Sequence, residues 1–296
     1  MAVVVDILKE VPLPAPNFRD TFWGNIQSGN LADTLPGSFQ LIHPNPVFGP
    51  IKFNGSELTY GPGDVIGGFI KTIEIYNAGD DEIARIALDK ASEAAKLYDA
   101  VQAYKGGDQT ALDPFFKVPT VYNGSSGDDT IIDWGTKGTL KGKKGDDFLN
   151  GVEGNDKLDG GDGNDEIRGG DGNDKIKAGG GSDLINGDAG KDKIETGAGK
   201  DTVIIDQFGA ANADKLPDFG KKDKLQFDPG VFPMLSGLAA FPKEYLVKNK
   251  AKEDDDYFIV KNDKLYVDFD ANGEGKPELL AKVSEEAIFA ASILIG

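Results

Sequence analysis

"GGDGNDEIRGGDGNDKIK", residues 160–177, is one nine-residue phrase written twice. Extending its register from Gly124 to Ile204 gives nine units without an insertion: GSSGDDTII, DWGTKGTLK, GKKGDDFLN, GVEGNDKLD, GGDGNDEIR, GGDGNDKIK, AGGGSDLIN, GDAGKDKIE and TGAGKDTVI. The eighth slot is always aliphatic: Ile131, Leu140, Leu149, Leu158, Ile167, Ile176, Ile185, Ile194 and Val203. The sixth slot is Asp129, Asp147, Asp156, Asp165, Asp174, Asp183, Asp192 and Asp201, and only the second unit departs, with Gly138. An unstructured Gly/Asp-rich linker does not keep an aliphatic residue in phase nine times.

One aliphatic side chain on a strand of about three residues cannot form a core alone. Stacked copies bury it in a continuous ladder, which is why such units come in arrays. Slots one to six must turn sharply and present backbone carbonyls, which glycine permits because it accepts positive φ. A slot-six carboxylate facing carbonyl oxygens is a hard donor set that suits Ca²⁺ better than softer metals. Without the ion, clustered like charges and high glycine content favour a disordered chain.

These nine units, from 124 to 204, resemble the calcium-binding nonapeptides of the RTX (haemolysin-type) proteins. The resemblance implies a parallel β-roll with two units per coil and an ion between each unit and the next on the same side. Nine units offer seven such pairs, and Gly138 weakens one, so about six ions are expected. The implied ligands are the eight slot-six aspartates with glycine-turn carbonyls, among them Gly145, Gly154, Gly161, Gly163, Gly170 and Gly172.

The flanks are not repetitive. Residues 1–120 read as an α+β domain, 121–204 as the roll, and 205–296 as a β-rich cap, so the fold class expected is mainly β. "FQLIHPNPVFGPIKFNGSELTYGPGDVIGGFIKTIEIYN" alternates apolar and polar residues between Gly/Pro breaks, predicting three or four antiparallel strands. Ile83, Ile86, Ala87, Ala94, Leu97, Tyr98, Val101 and Tyr104 then share one face of a helix running from Asp80 or Asp81 to Gly106. A second short helix is expected at 108–113. "LTY" (58–60), "GGFIKTIEIYNAGD" and "YKGGDQTAL" are similar to stretches of the secreted haem-scavenging hemophores, which implies Tyr60 as a haem ligand. His43 is the only histidine, and the histidine-bearing loops of that family are not recognisable.

In the last segment, "DKLQFDPGVFPML" is expected to close the open end of the roll. Residues 254–283 read as a β-meander with its first turn at Asn262-Asp263. Asp268, Asp270 and Asn272 before Gly273 form the front half of an EF-hand-like loop, but Leu279 stands where a bidentate glutamate is needed. "EEAIFAASILIG" resembles the uncleaved C-terminal signal of the RTX family, which implies type I export machinery as a partner. The start, "MAVVVDILKEVPLPAP", lacks the pattern of a conventional signal peptide.

Composition narrows the function. The formal charge is −18, from 50 acidic and 32 basic residues, so phosphate-rich partners such as nucleic acid are repelled. No segment is long and apolar enough to span a membrane. There is no cysteine, and no HExxH or GxSxG motif. These readings lead to the expectation of a secreted, noncatalytic, calcium-dependent protein of the cell surface or matrix. Adhesion, surface-layer assembly or biofilm structure is its role, with self-assembly or cell-surface polysaccharide as partner. Haem capture by the N-terminal domain is the alternative.

Overall fold

The computed structural model describes residues 3–7, 30–35, 38–42, 48–61, 64–77, 82–93, 119–133, 136–248, 257–269, 276–290 and 292–295. The chain divides into two compact units, Met1–Phe148 and Leu149–Gly296, and among the described residues nearly all regular structure in both is β.

The first unit contains β1 (Val3–Ile7), β2 (Asn30–Leu35), β3 (Ser38–Ile42), β4 (Phe48–Gly61), β5 (Asp64–Asn77), β6 (Glu82–Glu93), β7 (Thr120–Asn123), β8 (Thr130–Ile132) and β9 (Gly138–Lys144). Strands β2 to β6 form an antiparallel meander, and the stretch expected to alternate does supply β3, β4 and β5. β1 pairs antiparallel with β6 and parallel with β7, and β7 runs parallel to β9 with Tyr122 opposite Leu140. Tyr122 therefore occupies the slot-eight position one coil before Leu140, and both are fully buried.

One expectation is corrected here. Glu82–Glu93 is strand β6, not the start of a helix, and it is paired on both edges, by β5 and by β1. Short apolar runs such as Ile83 to Leu88 fit either period, and strand pairing on two sides overrides local helix preference. The remainder of that helix, the helix at 108–113 and His43 lie outside the described residues.

After β10 (Phe148–Asn150), the second unit runs through β11 (Lys157–Asp162), β12 (Glu166–Arg168), β13 (Lys175–Gly181), β14 (Leu184–Asn186), β15 (Lys193–Gly199) and β16 (Thr202–Ile205). Successive nonapeptides alternate between two parallel sheets. One carries β11, β13 and β15, aligning Leu158, Ile176 and Ile194; the other carries β12, β14 and β16, aligning Ile167, Ile185 and Val203. A coil is thus two nonapeptides, and the inward rung of each strand is its slot-eight side chain. All nine of those side chains are at most 2% exposed. Burying one such side chain stabilises by about 1.5–3 kcal/mol, so the ladder is the main apolar core of the array.

The C-terminal region continues both sheets. β17 (Asp214–Lys215) follows β15, and β18 (Lys224–Phe227) follows β16 with Leu225 opposite Val203. Then come β19 (Leu246–Lys248), β20 (Phe258–Val260), β21 (Lys264–Val267), β22 (Glu278–Lys282), a short helix α1 (Glu285–Ala290) and β23 (Ser292–Ile295). β20, β21 and β22 form the expected meander, and its first turn holds Asn262 and Asp263 both at φ 53°, as a two-residue hairpin requires. β22 pairs with β17 and so joins the meander to one sheet, whereas β23 pairs with β18 and ends the other. Phe227, Phe232 and Phe258 are fully buried beneath them, with ring centroids 4.9–6.0 Å apart. No helix among the described residues is long and apolar enough to cross a membrane.

Candidate metal centre

All eight slot-six aspartates are at most 2% exposed. Each short strand begins immediately after its aspartate, so the same backbone that turns the aliphatic residue inward turns the carboxylate into the bend. Along each face, the backbone N–H of one aspartate donates to Oδ1 of the aspartate one coil later. The distances are 2.7 Å for Asp129 to Asp147, 2.7 Å for Asp156 to Asp174, 2.9 Å for Asp165 to Asp183, 2.7 Å for Asp174 to Asp192 and 3.0 Å for Asp183 to Asp201. One carboxylate oxygen thus has a fixed structural partner.

At Asp174 and Asp201 the second oxygen is the chemically open one. Oδ2 of Asp174 and of Asp201 is buried and accepts no hydrogen bond. That of Asp174 points into a small cradle beside the slot-one residue of its own unit. A Cβ placed on Gly169 would lie 2.5 Å from Asp174 Oδ2 and 2.6 Å from the Gly187 carbonyl oxygen. On Gly160 it would lie 2.2 Å from Asp165 Oδ2 and 2.6 Å from the Ala178 oxygen; on Gly151, 2.6 Å from Asp156 Oδ2 and 2.4 Å from the Gly169 oxygen. Carboxylate and carbonyl oxygens converging on one void, with no room for a methyl group, fit a hard cation held by oxygen. Among the described residues no three Asp, Glu, His or Cys side chains gather as a metal cluster. An ion in these cradles would depend on main-chain oxygens, as calcium sites do.

The carbonyls that share these cradles with the carboxylates belong to Gly142, Gly169, Ala178 and Gly187, each in slot one. Sequence reasoning missed them because a main-chain direction has no side-chain signature. The carbonyls of Gly154, Gly161 and Gly163 lie close to the backbone of the next coil at Gly172, Gly179 and Gly181, and the Cβ positions of Gly145 and Gly170 meet the backbone of the preceding coil at Gly127 and Val152. Two further carboxylates were also missed. Asp192 N–H donates to Asp214 Oδ1 at 2.9 Å and Asp201 N–H to Asp223 Oδ1 at 3.3 Å, extending both ladders past residue 204. The signal was available, since Asp-Lys-Leu occurs at 214–216 and again one nonapeptide later at 223–225, and Leu216 and Leu225 are buried like the other rungs. In the second nonapeptide, Asp133 brings a fully buried carboxylate, bonded to the Tyr122 hydroxyl at 2.7 Å, to within 2.9 Å of a Cβ built on Gly138.

The ends of the ladder differ from its middle. Asp129 Oδ2 accepts the Ser125 N–H at 2.6 Å, and Asp223 Oδ2 accepts the Gly220 N–H at 2.8 Å. Asp268 is buried and its N–H donates to the Tyr257 carbonyl, whereas Asp270 and Asn272 lie outside the described residues. Tyr60 sits on β4 opposite Val65, beside the Gly61–Asp64 hairpin end.

Burial dominates the electrostatics. It pushes the Asp174 carboxyl up to about 7 and that of Asp201 up to about 6, with neighbouring carboxylates adding to both and a backbone N–H opposing. Asp192 and Asp214 are raised too, burial again the largest cause. The folded chain therefore takes up protons that the unfolded chain, with ordinary carboxyls near 3.8, does not hold. The contribution of these carboxyls to metal-free stability is fully present below about pH 4 and is lost as pH rises through about 6 to 7. Protons and cations compete for the same oxygens, so calcium affinity rises over that window. Metal-depleted protein is expected to show more strand signal in circular dichroism at about pH 5.5 than at about pH 8; equal spectra would contradict this.

Residues 138–167 and 168–203 match the family described as RTX calcium-binding nonapeptide repeat (4 copies). No curated protein matches the chain. Among solved structures it is similar to the extracellular lipase LipA from Serratia marcescens, with 17% identity and a TM-score of 0.19. The match covers 60% of this chain and spans 40% of the length of that lipase. The expectation of a noncatalytic protein is thereby corrected, because the solved structure it resembles is an enzyme. A likeness this slight carries no lipase activity to this chain, and the repeats by themselves give none. With the period, the parallel rungs and the oxygen-lined cradles in agreement, residues 138–203 are RTX calcium-binding nonapeptide repeats.

Proposed function

We propose that the chain is exported and that residues 121–204 are its calcium-dependent folding module, flanked by an N-terminal domain (1–120) and a closing region (205–296). The observation that carries this reading is the open, buried Oδ2 of Asp174 facing a main-chain carbonyl across its cradle. Asp129, Asp147, Asp156, Asp165, Asp174, Asp183, Asp192 and Asp201 supply the carboxylates, and main-chain carbonyls complete the sites, for about six ions in all. When bound, calcium supplies the positive charge that the buried carboxylates otherwise lack. The chain's own part is to hold those oxygens in register from one coil to the next. Type I machinery is the export route, read from the C-terminal segment, and the acidic surface suits a calcium-bridged place at the cell surface or in a matrix.

Native mass spectrometry of calcium-loaded protein tests the reading, and fewer than three ions would sink it. Asp174→Ala is expected to remove an ion and weaken the calcium midpoint by about tenfold or more. Asp129→Ala should do less, since the Ser125 N–H already satisfies its second oxygen. Equal shifts for the two variants would contradict the assignment. Calcium-dependent pelleting with extracellular polysaccharide tests the surface role. A Soret band that Tyr60→Phe abolishes would instead assign the N-terminal domain to haem capture.

A further inference from the structure

One sheet of the second unit presents lysine in single file. Lys157 on β11 pairs with Lys175 on β13, Lys175 with Lys193 on β15, and Lys193 with Lys215 on β17. The row then runs on into the meander: Lys215 pairs with Lys282 on β22, and Lys282 with Lys264 on the antiparallel β21. Adjacent strands thus bring six lysines into one register, a line of roughly 24 Å at a strand spacing of about 4.8 Å. All are exposed except Lys264, which is half-buried. The nonapeptide period accounts for only part of this row. It places Lys157, Lys175 and Lys193, whereas Lys215, Lys264 and Lys282 lie beyond the matched repeats. On the other sheet the corresponding row is Glu166, Leu184, Thr202, Lys224 and Ser292, which has no common sign. Like charges opposite one another on neighbouring strands oppose sheet formation. Lysines that guard a sheet belong on its edge strands, but β13, β15, β17 and β22 are interior to theirs. In a chain of formal charge −18, a positive line kept at that cost points to an anionic partner.

We propose that this row is the docking line of a linear acidic polysaccharide, a chain of uronic-acid sugars with one carboxylate per ring. A sugar ring and a strand spacing are of similar length, about 5 Å, so the anionic and cationic repeats are commensurate. A single file of cations engages one thin chain, whereas a lipid surface demands no register. The next row on the same face carries Asp159, Lys177 and Glu195, with Glu195 ion-paired to Lys193. Sugar hydroxyls donate hydrogen bonds to such carboxylates, whereas the acidic oxygens of nucleic acid or polyphosphate are repelled by them. The inference deepens the surface or matrix role proposed above and rests on it.

The test is calorimetric titration of galacturonic-acid oligomers, too short to gel, into the calcium-loaded full chain. Replacing Lys157, Lys175 and Lys193 together by glutamine keeps the aliphatic stems and removes the charge. The expected result is binding weakened about tenfold or more, and weakened likewise in wild type by added salt. The same change at Lys200, Lys222 and Lys224, at or beside the other sheet, should shift it by less than about twofold. Equal losses in the two triple variants would overturn the docking line. Should the row variant fail to fold, lysine acetylation of wild type decides. The oligomer should protect Lys157, Lys175 and Lys193 and leave Lys200, Lys222 and Lys224 reactive; no selective protection refutes the proposal. Tighter binding of DNA, polyphosphate or anionic vesicles, or equal binding of neutral dextran, would overturn the choice of partner. Polysaccharide binding that survives loss of the row would defeat this inference alone, whereas no binding of any extracellular polysaccharide would defeat the surface role as well.

Discussion

Stripped of calcium at neutral pH, the full chain is expected to lose the strand signal of residues 124–204. Nine carboxylates lie buried in that stretch, and taking a charged group out of water costs on the order of several kcal/mol. Extracellular calcium modules bind at about 10⁻⁴ to 10⁻³ M. At free calcium of roughly ten times Kd, each independent site adds about RT ln 11, near 1.4 kcal/mol. Six sites give on the order of 8 kcal/mol, comparable to the whole stability of a domain. Six ions would also move the formal charge from −18 to about −6, relieving repulsion that opposes compaction. Circular dichroism should show the strand signal rising cooperatively on titration. Trypsin should cut at the exposed Lys157, Lys175 and Lys193 in chelator and spare them in millimolar calcium. Magnesium should substitute poorly, because it demands a tighter octahedral shell. Identical spectra and digests in chelator and in calcium would refute the switch.

Gly172→Ala is expected to prevent the array from folding even in saturating calcium. Gly172 has φ +145°, and a Cβ there would sit 1.4 Å from the Gly154 carbonyl oxygen. The obstacle is backbone, so no side chain can swing aside. Moving the turn would break the 2.7 Å bond from Gly172 N–H to the Ala189 carbonyl and the 2.8 Å bond from Asp171 N–H to the Val152 carbonyl. Together these place the cost above about 4 kcal/mol, in the rare severe class. Gly180→Ala is the control: nothing lies within 4 Å of its Cβ position and its φ is not positive, so a change within about 0.5 kcal/mol is expected. Thermal melts in millimolar calcium compare them, and a Gly172→Ala melt matching wild type would show the stacking to be looser than described.

What the sequence disclosed follows from which interactions repeat. The rungs from Ile131 to Val203 were legible because one buried side chain in every nonapeptide is a strict demand on sequence. Asp214 and Asp223 obey the same demand, but the step from Asp201 to Asp214 is longer than one nonapeptide, and a fixed register passes over them. The cradle oxygens at Gly169 and Gly187 were hidden for a different reason. Glycine in slot one reads as a turn, whereas here it also leaves a void that alanine's methyl would fill. β6 was misread because Ile83 and Ile86 fit a helical face, and what decides against the helix is pairing with β1, far earlier in the chain.

The alternation of nonapeptides between two sheets gives the array a parity. Removing two nonapeptides, such as 160–177, would shorten the stack by one storey of roughly 4.8 Å and leave every later strand on its own side. Removing a single nonapeptide would exchange the sides of all that follows. The 214 and 223 carboxylates would change columns, and β22 and β23 would arrive at the wrong sheets. Arrays of this design can therefore lengthen or shrink only in even steps unless the closing region is rebuilt with them, so the even–odd count of repeats is a property that the C-terminal strands enforce.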